Sequence, residues 1–105
     1  MITIFSKNRY IKQKANQEKV KLIRDLFISN PERWYSRYEI EIISNYTAIR
    51  TVINQLRCEG LSIISDHDKG YKLTNNKKEI RKCYDELRDR ALRAITAAKL
   101  MKKQL

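Results

Sequence analysis

Across 105 residues the chain carries only two glycines, Gly60 and Gly70, and a single proline, Pro31. Glycine and proline most readily permit or enforce sharp backbone reversals, so the chain is restricted to long regular segments broken near those three positions. One modest core is the realistic limit at this length. No apolar run approaches the roughly 18 residues needed to cross a membrane as a helix. The expectation is a single soluble domain, mainly helical.

Between the breaks the apolar spacing is helical. Val20, Ile23, Leu26 and Phe27 recur at three- and four-residue intervals behind Asn16, which predicts a capped first helix over 17–29 closed by Pro31. Trp34 and Tyr35 are expected to anchor the crossing to the next element. Ser36 precedes Glu39 by three residues, the capping-box spacing, so a short second helix starts at Ser36 with Tyr38, Ile42 and Ile43 facing inward. After the polar turn Ser44-Asn45-Tyr46, a third helix spans about 44–59. Ala48, Ile49, Val52, Ile53 and Leu56 form its buried stripe, Tyr46, Thr47, Arg50, Thr51, Asn54 and Arg57 fall on its other side, and Gly60 terminates it.

The runs LSIIS and YKLT flank Asp66 to Gly70 and read as a two-stranded hairpin, with Leu61, Ile63, Tyr71 and Leu73 on one face. Ile64 breaks that alternation. Behind Asn76 a glycine- and proline-free pattern runs to Leu105, with Ile80, Leu87, Ala94 and Met101 at seven-residue intervals and Tyr84, Ala91, Ala98 and Leu105 four places later. This predicts a helix of about 28 residues, roughly 42 Å long. Its stripe is too long to be covered by so small a domain, which implies a partner for its far end.

Charge narrows the function classes. Lys and Arg number 23 against 12 Asp and Glu, a formal net charge of +11, and an imbalance of that size favours a polyanionic partner. Residues 1–15 form a basic arm containing Lys7, Arg9, Lys12 and Lys14, with Ile2, Ile4 and Phe5 available for docking. Cys58 and Cys83 are isolated and His67 is the single histidine, so neither a zinc site nor a disulfide framework is expected. Nucleophile–base pairs, acidic metal clusters and glycine-rich phosphate cradles are missing, which argues against an enzyme and against any cofactor. Residues 1–10 carry no secretory h-region, so the expected location is cytoplasmic.

The order helix, helix, turn, helix, hairpin over 16–76 resembles the winged helix-turn-helix DNA-binding superfamily. The residues that carry the likeness are Thr47-Ala48-Ile49, Leu56 ahead of Cys58-Glu59-Gly60, and Lys69-Gly70-Tyr71. The long helix over 77–105 is similar to the dimerisation helix of PadR-like regulators. The resemblance implies an α+β winged-helix fold: a three-helix core, a two-stranded β-hairpin wing and a long C-terminal helix. It also implies that helix 44–59 enters the major groove of double-stranded DNA, that the wing touches backbone or minor groove, and that the protein works as a homodimer.

On that basis the DNA-binding candidates are Asn45, Tyr46, Thr47, Arg50, Thr51, Asn54, Lys69 and Lys72. Arg50 can bond a guanine edge through two N–H groups, Asn45, Asn54 and Gln55 suit adenine, and the threonines and Tyr46 suit phosphate. Lys69 and Lys72 would bring charge to the wing. The alternative is an interaction module or inhibitor that binds an acidic protein or nucleoprotein complex.

Overall fold

A computed structural model describes residues 16–105; the basic arm, with Ile2, Ile4 and Phe5, lies outside the described residues. The chain divides after Thr74 into two compact units.

The first unit begins with helix α1 (Gln17–Ser29), whose bounds match the sequence pattern. The Asn16 side-chain oxygen accepts from the Glu18 and Lys19 amides at 2.9 and 3.3 Å, satisfying donors that the first turn leaves open. Val20, Ile23 and Phe27 are fully buried and Leu26 packs beside them.

Helix α2 (Arg37–Ser44) opens on the expected capping box. The Ser36 hydroxyl accepts from the Glu39 N–H and the Glu39 carboxylate accepts from the Ser36 N–H, each at 3.0 Å. Chiefly that Ser36 N–H, helped by the neighbouring Arg33 guanidinium, holds the Glu39 carboxyl below the usual glutamate range. The stabilisation linked to it is present above the ordinary value and fades as pH falls through the lowered one.

The inward face of α2 differs from expectation. Ile40 and Ser44 are buried, whereas Tyr38, Ile42 and Ile43 are 69, 62 and 48% exposed. Tyr38 and Ile42 lie four residues apart, and so do Ile40 and Ser44, so the helix carries two apolar-capable stripes on opposite sides. Helical periodicity does not distinguish them; packing against the neighbouring helices does.

The third helix is shorter than the expected 44–59. Ser44 ends α2, its hydroxyl donating to the Ile40 carbonyl at 2.6 Å, and Asn45 takes the left-handed conformation with φ of 51°. Asparagine tolerates that region better than most residues. Tyr46 to Ala48 form the turn, and helix α3 runs from Ile49 to Cys58 with Ile49, Val52, Ile53 and Leu56 in the core. Its end is a Schellman motif: Gly60 has φ of 102°, its N–H reaches the Arg57 carbonyl, and the Leu61 N–H reaches the Leu56 carbonyl, both at 3.0 Å.

Strands β1 (Ile63–Asp66) and β2 (Gly70–Leu73) pair antiparallel, with Ile63 opposite Leu73 and Ser65 opposite Tyr71. Ile63 enters the core while Leu61, Tyr71 and Leu73 pack against it, the face assignment the alternation gave. Ile64 is also buried, on the other face, opposite Lys72.

Tyr35 adds a third rung that the sequence did not reveal. It exchanges two 2.8 Å backbone hydrogen bonds with Tyr71, placing the α1–α2 connection beside β2. Its ring is fully buried and meets Phe27 edge-on at 5.6 Å between centroids.

The second unit is helix α4 (Lys77–Lys102), 26 residues or about 39 Å long, again capped by an asparagine: Asn76 accepts from the Lys78 and Glu79 amides. Leu92, Ile95, Leu100 and Met101 are exposed on it. The architecture as a whole is the mainly helical α+β class expected, with one hairpin and a long C-terminal helix.

Candidate nucleic-acid interface

The core stripe of α3 sets what the helix presents outward. With Ile49, Val52, Ile53 and Leu56 turned into the core, Arg50, Thr51 and Asn54 occupy the opposite surface and are exposed. Among the described residues none of the three side chains makes a hydrogen bond or ion pair, so their donors and acceptors are available to a ligand. The adjacent turn leaves Asn45 and Thr47 exposed as well.

Two of the predicted contact residues also make internal hydrogen bonds. Tyr46 packs against the core, and its hydroxyl accepts the Asn16 N–H at 3.1 Å, tying the turn to the start of α1. Lys19 reinforces the same junction, donating to the Ser44 carbonyl at 2.7 Å. Gln55 is held by Gln17 and Glu59, at 3.0 Å in each case. The Gln55 amide first, and then Arg24 at 2.6 Å, hold the Glu59 carboxyl below its usual range. The edge of α3 nearest α1 is therefore an internally neutralised polar network.

Arg57 was not a predicted site residue, yet it links the helix to the hairpin. Its guanidinium donates to the Ile63 carbonyl at 2.7 Å and approaches the Ser65 hydroxyl at 3.4 Å, strapping the end of α3 to β1. No sequence signal marks this, because its partners are a backbone carbonyl and a serine from the following strand.

At the hairpin tip Asp66 accepts from the Asp68 and Lys69 amides, at 2.9 and 3.1 Å, and shapes the turn as expected of it. His67, Asp68 and Lys69 are exposed there. Lys72 is placed differently. Its side chain is only 10% exposed, 3.7 Å from the Glu32 carboxylate and 4.8 Å over the Trp34 ring. The structure thus groups Arg50, Thr51 and Asn54 on one helix face with Asn45 and Thr47 at its entry, sets Lys69 at the hairpin tip, and engages Lys72 and Tyr46 in internal contacts.

No cluster of three or more metal-ligating side chains occurs among the described residues, and no described helix is long and apolar enough to cross a membrane. In comparison with known proteins, no family model, curated protein or solved structure matches the chain.

Proposed function

We propose that this protein binds double-stranded DNA and acts in transcription regulation, with α3 in the major groove and the hairpin as a wing along backbone or minor groove. The observation that carries this reading is the outward face of α3: a rigidly buried helix presenting Arg50, Thr51 and Asn54 with no internal partners, on a chain of net charge +11. An arginine fork and an asparagine amide are the side chains best suited to read guanine and adenine edges. Asn45 and Thr47 flank the same groove, and Lys69 supplies the wing contact. The apolar stripe of α4 pairs with that of a second copy, making the active species a homodimer detectable by sedimentation equilibrium.

Fluorescence anisotropy with a labelled duplex tests the reading. Affinity is expected to fall steeply between low and physiological salt, about 0.9 in logarithmic slope per phosphate contacted. Arg50→Ala is expected to cost about 1–3 kcal/mol of discrimination between preferred and scrambled duplexes while leaving the salt slope nearly unchanged. Absence of duplex binding at low salt would rule the reading out. The exposed Tyr38 and Ile42 of α2 favour a second reading, a module that docks on an acidic protein. A nuclease-treated pull-down yielding a stoichiometric protein partner, together with no duplex binding, would select it.

A further inference from the structure

The hairpin face that carries Ile64 and Lys72 holds an arrangement that neither the helix-turn-helix pattern nor the charge count calls for. Because Tyr35 is bridged to Tyr71 in antiparallel fashion, Trp34 falls across from Lys72, and Ile64 lies on Lys72's other side. Two ammonium groups lie over the one indole, Lys72 at 4.8 Å and Lys69 at 5.6 Å from the ring centroid. They are not equivalent. Lys72 is nearly enclosed, and its charge is balanced by Glu32 at 3.7 Å. Glu32 is itself locked in the left-handed region at φ of 68°, its N–H donating to the Leu73 carbonyl at 2.8 Å while its carboxylate accepts the Thr74 hydroxyl. Lys69 is exposed and has no carboxylate within ion-pair distance among the described residues.

We infer that Trp34 is a positioning residue for DNA binding, its indole holding the Lys69 ammonium at the hairpin tip so that it clamps a backbone phosphodiester. The inference rests on the DNA-binding reading above. A lysine on a turn ordinarily gives up most of its rotamer freedom when it engages a phosphate. Here the ring face attracts the ammonium beforehand and shortens the set of conformers to be lost. Lys72, neutralised by Glu32, braces the ring from the strand without competing for the phosphate. Of the two cations over the ring, Lys69 is the one without a carboxylate at ion-pair distance among the described residues, and so the one open to the negative charge of a phosphodiester.

Trp34 is the only tryptophan in the chain, so intrinsic emission reports on this platform directly. The full chain is titrated with an unlabelled duplex while emission is followed, and in parallel a labelled duplex is followed by anisotropy; poly-glutamate serves as the non-nucleic polyanion. The expected result is an emission change that saturates at the same duplex concentration as anisotropy and is absent with poly-glutamate. Lys69→Gln, at an exposed position that leaves the fold intact, is expected to reduce the logarithmic salt slope by about 0.9, one phosphate contact. Trp34→Leu keeps every charge and is expected to weaken binding about two- to fivefold, the worth of a surface cation–π contact, with Trp34→Phe restoring most of it.

Duplex binding with unchanged emission, or with an unchanged salt slope in Lys69→Gln, would overturn the inference and leave the DNA-binding reading standing. An equal emission response to poly-glutamate would overturn the phosphodiester assignment. No anisotropy change at low salt would overturn both.

Discussion

Replacing Gly70 with alanine is expected to destabilise the first unit by about 3–5 kcal/mol, read as a shift in the urea midpoint at constant slope. Two independent causes add. Gly70 has φ of 101°, a region that costs a residue with a side chain of the order of 1–3 kcal/mol. A Cβ there would also lie 2.1 Å from the Tyr35 carbonyl oxygen and 2.7 Å from the Ser36 Cα, which are backbone atoms with no rotamer to yield. Relief requires moving the Tyr35–Tyr71 bridge, so the change loosens the hairpin and the α1–α2 connection together. Gly60→Ala is the internal control: its φ is 102°, nearly the same, but nothing lies within 4 Å of the added Cβ. Only the dihedral strain remains, about 1 kcal/mol. Equal losses from the two substitutions would show that the close approach at Gly70 carries no energy.

Phe27→Ala is expected to cost about 3–5 kcal/mol, the range for deleting a fully buried aromatic side chain. Phe27 lies at the centre of the core, edge-on to Tyr35, so its removal leaves a void beside the ring that orders the third rung of the sheet. The neighbouring Tyr35→Phe change should behave oppositely. The buried Tyr35 hydroxyl has no hydrogen-bond partner among the described residues, so deleting it removes a desolvated polar group and is expected to be neutral or stabilising by up to about 1 kcal/mol. Chemical denaturation of both variants checks the pair; a Tyr35→Phe loss exceeding 1 kcal/mol would show that the hydroxyl is satisfied in solution.

The candidate site was partly legible in advance because an amphipathic helix divides its residues by spacing alone. Once Ile49, Val52, Ile53 and Leu56 form a stripe, Arg50, Thr51 and Asn54 must lie on the other side. The internal contacts of Lys72 and Tyr46 were not legible, for the same reason from the opposite direction. Both are polar residues in a plausible place, and what occupies them is a partner distant in sequence: Glu32 and Trp34 for Lys72, and the backbone of Asn16 for Tyr46. The Arg57 strap is not legible in the sequence, because a backbone carbonyl leaves no trace there.

The scarcity of glycine and proline remains the most informative property of the chain. By itself the sequence determined the element order, the caps at Asn16, Ser36 and Asn76, the termination at Gly60 and the buried stripe of α3 except for Ala48, which lies exposed ahead of the helix, because each depends on contacts within a few residues along the chain. Tertiary structure alone decided which stripe of α2 turns inward, that Ser44 and Asn45 close α2 rather than open α3, and that Trp34 and Tyr35 join the hairpin. Those outcomes depend on which surfaces meet. It also revealed the second reason for glycine at position 70: the residue permits a turn, as its type suggests, but it is also the point where two backbones approach too closely for any side chain.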